Sequence, residues 1–388
     1  MTELHEVRPR EVKGRDTLAR YRLQLVAAAY ASLQILDGKA VDRVYCDYHD
    51  DFVVRYIENG KRTYHFFQVK TNQKKKYQWS MNDTWGLTKK VPKAPTSEDF
   101  KKVRDSFFGK LLVHALNFGD SCRASTLLTN VHFEDDVESL ISALKDKSDS
   151  EKAEFLRKKF DEIFPTDQPR PEPAISTHLA KLSIQPCTTY VDPTDSDFPI
   201  LAREAIFKYS EIDLSHDEAD EIAANFVGLF FNKSIGKVLE EVTEQELDEL
   251  AGVGLWELLD ALCISREAYK ALVDGGDPKA LKSASIIQRR LSKIGASSDM
   301  IEFCSQQKVA WDIWVRDKRH NISPLDFNLL QQDVLNIANG WNGGDWTWLQ
   351  TELNTLATKC QSKNFGYGIN ADLLLGGVFS MLIRNGLM

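Results

Sequence analysis

Asp51, Gln68 and Lys70 are the residues whose types and spacing suit chemistry in this 388-residue chain. Asn59-Gly60 separates two runs, 52–57 and 63–69, that are rich in β-branched and aromatic residues. That arrangement is the strongest short-range signal for a β-hairpin. A two-residue turn at Asn59-Gly60 pairs Glu58 with Lys61. The same register sets Arg55 opposite Tyr64, Val53 opposite Phe66 and Asp51 opposite Gln68. Side chains alternate along a strand, so Asp51, Gln68 and Lys70 share one face while Asp50 and Val69 point to the other. Cross-strand neighbours have Cβ atoms ~5 Å apart, so one small cation is within reach of both Asp51 and Gln68. A β-bulge would shift the register and favour Asp50 instead. An acid, an amide oxygen and a lysine are the parts of metal-assisted phosphodiester hydrolysis. Hard oxygens hold a cation such as Mg2+, and the cation polarises the phosphoryl group and acidifies water. The lysine orients that water or offsets the charge that develops. The plain alternative is a polar end to an ordinary hairpin.

These side chains need a scaffold, and the chain spells one out in part. Residues 16–36 have helical apolar spacing, with Asp16 as the expected N-cap and Asp37-Gly38 as the stop. Residues 70–104 read as a basic loop region, a helix is expected over about 101–117, and 127–133 reads as a buried strand. Residues 150–163 look helical. Seven of the twelve prolines fall between 165 and 199, which predicts a long connection or a domain edge there. From about 200 onward the spacing is helical. The expected organisation is an α/β (α+β) domain over 1–200 followed by a mainly α-helical domain over 201–388.

Composition narrows the classes further. At 43% hydrophobic and 27% charged residues the chain can bury a sizeable core and is not expected to be disordered. No apolar run reaches the ~20 residues of a membrane span, and the charged N-terminus does not resemble a secretory signal. The six cysteines form no CxxC pair, so a zinc ribbon and a disulfide framework are not expected. A cytoplasmic protein follows as the expectation. The net charge of -8 hides an asymmetry: residues 1–110 are basic on balance and the remainder strongly acidic. A basic first part suits a polyanion. No GxxxxGK[ST] motif is present, so the chain is not expected to hydrolyse ATP itself.

The order of a helix with Gln24, then Asp51, then Gln68-Val69-Lys70 resembles the PD-(D/E)xK superfamily of restriction-like nucleases, in the variant with QxK. More narrowly, residues 14–133 are similar to the nuclease domain of bacterial anti-phage double-stranded DNA endonucleases. That domain occurs in cyclic-oligonucleotide-activated (CBASS) effectors and in nucleases paired with HerA-type ATPases. The stretches that carry the resemblance are Gly14 with Tyr21 and Gln24, CDYHDDFVV (46–54), FFQVKTN (66–72), Trp79, FGKLL (108–112) and LLTNVHF (127–133). The resemblance implies a restriction-endonuclease-like fold, Mg2+ or Mn2+ as cofactor, Asp51 as the metal-binding aspartate, Gln68 as a second ligand and Lys70 as the catalytic lysine. It also implies a supporting role for helix-borne Gln24, and for Asp47 a place beside the metal. The neutral glutamine where relatives usually carry an acid implies weaker metal retention without DNA. Lys74, Lys75, Lys76, Lys89 and Lys90, in and beyond the segment that leaves the QVK strand, are then expected to contact DNA phosphates without reading sequence.

The leading expectation is a metal-dependent DNA endonuclease of an anti-phage system, homo-oligomeric and activated by assembly with a HerA-type ATPase through the acidic helical half. The alternatives are a cyclic-oligonucleotide-activated endonuclease and a non-catalytic DNA-binding adaptor. No membrane partner is expected.

Overall fold

The computed structural model describes residues 3–7, 13–88, 90–148, 150–193, 197–210, 214, 216–236, 238, 241–277, 279–292, 294–318, 322–341, 343–362 and 368–385. The chain forms two compact units, Met1–Ala205 with Ser215–Leu255, and Ile206–Leu214 with Trp256–Met388.

The first unit is built on a mixed sheet. Helix α1 (Lys13–Ser32) runs into a 3-10 turn, Leu33–Asp37, and ends at Gly38 in the left-handed region (φ 66). Glycine stops a helix there because that backbone costs it nothing. Strands β1 (Val41–Tyr48), β2 (Asp50–Glu58) and β3 (Lys61–Lys70) follow as an antiparallel meander. The expected basic loop over 70–104 is more ordered than its composition suggests. It contains the short strand β4 (Gln78–Trp79) and helix α2 (Met81–Trp85). Ser80 and Asp83 form a reciprocal capping box that starts α2, and Trp85 anchors it, fully buried.

The helix expected over 101–117 is two helices, α3 (Ser97–Asp105) and α4 (Phe107–Phe118). Ser106 breaks them and caps α4 by accepting from the Gly109 N–H. Strand β5 (Cys122–Thr129) adds parallel to β3, and β6 (His132–Phe133) pairs with β4. Helices α5 (Asp135–Asp146), α6 (Glu151–Lys158), α7 (Phe160–Ile163) and α8 (Glu172–Ala180) come next, then strand β7 (Leu182–Gln185), parallel to β5. The proline-rich stretch is therefore an integral helix and edge strand rather than a linker. Its Pro171 sits at the start of α8, where a missing N–H costs nothing.

Helix α9 (Phe198–Ser210) crosses the unit boundary, and α10 (His216–Ser234) packs back on α1. Helix α11 (Glu244–Leu250) leads into strand β8 (Gly252–Gly254), which completes the sheet in the order β7-β5-β3-β2-β1-β8. Gly252 is required there: a Cβ would lie 2.7 Å from the Arg43 side chain and 2.7 Å from the Asp248 carbonyl oxygen. Buried Arg55 of β2 ties α11 to the sheet through Asp42, Glu244 and Asp248, at 2.6, 3.0 and 3.1 Å. The structural division thus departs from the expected boundary at 200, because 215–255 supplies a strand and two helices to the first unit. The main core of this unit fills the space around α2, α4, α5, α6, α7 and α8 with Trp85, Phe108, Leu111, Phe133 and Phe160.

The second unit is helical among the described residues: α12 (Leu255–Ala261), α13 (Arg266–Asp274), α14 (Ala280–Ser292), α15 (Ser298–Lys318), α16 (Pro324–Gly340), α17 (Trp346–Ser362) and α18 (Ala371–Asn385). α15 and α18 form its centre, with Trp311 against Gly377 and Phe379 buried. Lys308, buried, is paired with Asp277 and Asp312. Among the described residues no helix is long and apolar enough to cross a membrane. All six cysteines are free.

Candidate functional site

The site begins with the turn. Asn59 and Gly60 both lie at positive φ, 52 and 75, the backbone that lets a two-residue turn follow the twist of its strands. The ladder then runs without a shift from Glu58↔Lys61 through Arg55↔Tyr64 and Val53↔Phe66 to Phe52↔Phe67. One step further the strands hand over to side chains: the Asp51 carboxylate accepts the Val69 N–H at 2.6 Å. On the other flank, the pairs Cys46↔Phe52 and Tyr48↔Asp50 bracket positions 47 and 51, on β1 and β2.

Asp51 and Lys70 meet at this end of the hairpin, with Gln68 two residues before Lys70 on β3. Lys70 Nζ is 3.9 Å from Asp51 Oδ2 and 5.4 Å from the Phe107 ring centroid. Burial pushes the Asp51 carboxyl up to about 6, against the pull of Lys70 and of the Val69 N–H, and the charges of Asp50 and Asp47 push the same way. Such a carboxylate lacks a full complement of cations and donors. Gln68 carries the complementary signal. Its Oε1 is buried and has no hydrogen-bond partner among the described residues, and a buried oxygen without a donor costs about 1–3 kcal/mol unless something binds it. Two hard oxygen donors, one charged and one neutral, fit a cation that fills the rest of its shell with water and phosphate. Among the described residues no group of three or more His, Cys, Asp and Glu could hold a metal ion.

Asp50 is occupied otherwise. Its carboxylate contacts His114 Nε2 at 2.9 Å and accepts the Asp51 N–H at 2.9 Å, with its side chain almost fully buried. His114, on α4, stacks on Phe66 with ring centroids 4.3 Å apart. The pair fixes the start of β2 and leaves Asp51, not Asp50, beside Lys70. Spacing gave no hint of it. A second fixture is also new: Asn72 N–H donates to Asn130 Oδ1 at 2.9 Å, and Asn130 Nδ2 donates to the Asn72 carbonyl oxygen at 2.8 Å. This reciprocal clamp holds the segment leaving Lys70 against the end of β5.

Gln24 is half-buried on α1, the helix that packs on β1, β2 and β3. Asp47 is exposed, with a left-handed backbone (φ 50). Lys74, Lys76 and Lys90 are exposed, Lys75 is exposed with Asp192 at 3.7 Å, and Lys89 lies outside the described residues. Tyr77 and Trp79 are committed to structure: the Tyr77 hydroxyl donates to Asp83, and the Trp79 indole N–H donates to Thr129 Oγ1.

The model of the Cap4 dsDNA endonuclease domain matches residues 13–234, more than half of the chain. The chain belongs to this family. The match runs from α1 through α10 and contains the whole hairpin site. Solved structures similar to the chain include a Cap4 SAVED/CARF-domain containing receptor of Acinetobacter baumannii with the cyclic trinucleotide 3'3'3'-cAAA, at 10% identity and TM-score 0.36 over 74% of this chain and 64% of that one. The same kind of receptor from that organism with 2'3'3'-cAAA gives 11% identity and TM-score 0.37 over 77% and 58%. One from Moraxella osloensis gives 10% identity and TM-score 0.35 over 75% and 67%. At these scores the likeness carries no argument about the fold, and the chain spans only 64% of the first receptor's length. A search of the curated proteins finds no match.

Proposed function

We propose that this Cap4-family chain is a metal-dependent endonuclease of double-stranded DNA in bacterial anti-phage defence, with a PD-(D/E)xK-type site of the QxK variant. The observation that carries the reading is the buried Gln68 Oε1, without a hydrogen-bond partner among the described residues, on the strand whose Lys70 lies 3.9 Å from the raised Asp51 carboxylate. Asp51 and Gln68 would hold the cation, Mg2+ or Mn2+, with Asp47 facing them and Gln24 supporting from α1. Bound there, such a cation polarises the phosphoryl group and acidifies the attacking water. Lys70 orients that water and offsets the charge that grows on the phosphate in the transition state. Its position over the Phe107 ring and beside Asp51 limits its swing, so its ammonium is held in place before substrate arrives. The exposed lysines of the following segment meet backbone phosphates, which gives sequence-tolerant, salt-sensitive binding.

For control, the family match speaks for the cyclic-oligonucleotide alternative better than for the HerA-type ATPase expected first. Two solved structures that carry the Cap4 name hold cyclic trinucleotides. The assembly reading keeps one observation in its favour, the helical make-up of the second unit among the described residues. Plasmid cleavage by the whole chain with Mg2+ decides between them when run alone, with each of a panel of cyclic oligonucleotides, and with a HerA-type ATPase. Stimulation by a cyclic oligonucleotide supports the first control. Stimulation by the ATPase alone overturns it. Absence of cleavage under all conditions contradicts the endonuclease reading.

A further inference from the structure

A cleft of about 270 Å3 is lined on one side by α1 and on the other by the segment that leaves β3, starting at Thr71 directly after Lys70. Two cations reach it from these two elements: Arg20, one helical turn before Gln24, and Lys74, four residues beyond Lys70. Both are exposed, and neither side chain has a hydrogen bond or ion pair with another described residue. Asp16 is the one carboxylate among the lining residues, so the cleft is positive on balance. It is also prepared before any ligand arrives. The Asn72–Asn130 clamp fixes the segment, the Lys74 N–H donates to Asn72 Oδ1, and the lining Trp79 is held by Thr129.

Two unpaired cations from separate, fixed elements make an anion site. Its place along the chain says which anion. Arg20 shares α1 with Gln24, and Lys74 follows Lys70 on one continuous strand and turn, so the cleft continues the line of the catalytic residues. We propose that Arg20 and Lys74 bind the backbone phosphate adjacent to the one that is cut, and that this cleft receives the DNA strand as it leaves the site. The assignment rests on the endonuclease reading and adds to it a contact from α1. Arg20 is a binding and positioning residue here, since it fixes the strand and touches no reacting atom.

The test is duplex binding by fluorescence anisotropy in EDTA, so that no cleavage occurs, across a salt series. Arg20→Glu is expected to weaken binding at least about 10-fold and to lower the slope of log affinity against log salt by about 1. Arg20→Lys should restore most of both. With Mg2+, Arg20→Glu should raise KM far more than it lowers kcat. Since Arg20 is exposed, its variants should melt as the wild type does. Wild-type affinity and salt slope in Arg20→Glu would overturn the cleft assignment while leaving the endonuclease reading standing. A wild-type chain that binds no duplex at all would remove that reading, and the cleft assignment with it.

Discussion

Asp51 carries a conflict, a buried carboxyl with Lys70 3.9 Å away. Burial raises its carboxyl to about 6, above the ordinary value of 3.8 that it would have unfolded. The protonated form is therefore the one the fold favours. That contribution is complete below about pH 4 and is lost as pH rises through about 6, so the ionised site costs on the order of 3 kcal/mol at neutral pH. Asp51→Asn should accordingly raise the melting temperature at pH 8 and leave it unchanged near pH 4; thermal scans at the two pH values check this. Cation binding runs the other way, because it needs the carboxylate, and should weaken as pH falls through about 6. Gln68 is the second lever. Gln68→Glu adds a negative charge where Oε1 now has no donor, and should tighten Mn2+ binding about 10-fold by calorimetry. Unchanged affinity would show that residue 68 does not face the cation. The hairpin register from Glu58↔Lys61 to Phe52↔Phe67 was legible because one dipeptide sets it. The Asp50–His114 lock was not, since its partners stand 64 residues apart and meet only after β5 and α4 are in place.

At the level of elements, legibility followed length and local chemistry. Helix α1 and strands β2 and β3 are long, periodic and bounded by Gly38 and Asn59-Gly60. Strands β7 and β8 have four and three residues. One sits among prolines and the other is Gly-Val-Gly, so neither shows the alternation that marks a strand. Both become strands because the sheet offers an open edge: β5 for the first, β1 for the second. The capping boxes at Ser80/Asp83 and Thr96/Asp99 were present in the sequence as S-x-x-D and T-x-x-D, and they order the stretch that its lysines disguised as loop. The β8 finding has a consequence for fragments. A chain of residues 1–255 should be soluble and unfold cooperatively. One of 1–200 loses α10, α11 and β8, bares the β1 edge and leaves Arg55 without Glu244 and Asp248, and should aggregate or melt well below it. Size-exclusion chromatography and thermal scans compare the two; equal behaviour would contradict the placement of 215–255.

For the whole molecule, two units answer different questions. The first holds the site and the family match; the second is a helical body around α15 and α18 whose role stays with the proposed control. The apolar segment 224–239 is partly buried. Phe226 and Phe230 are buried, while Phe231 and Ile235 stay exposed at 44% and 64%. Every higher-level claim depends on one lower down, that Asp51, Gln68 and Lys70 cut DNA. The most direct measurement is supercoiled-plasmid cleavage by the whole chain with Mg2+ or Mn2+, under the activating condition, for the wild type, Asp51→Ala and Lys70→Ala, each confirmed folded by circular dichroism. The account predicts cleavage by the wild type that EDTA abolishes, and a loss of at least about 100-fold in both variants. Wild-type cleavage by either folded variant, or cleavage that survives EDTA, would contradict it.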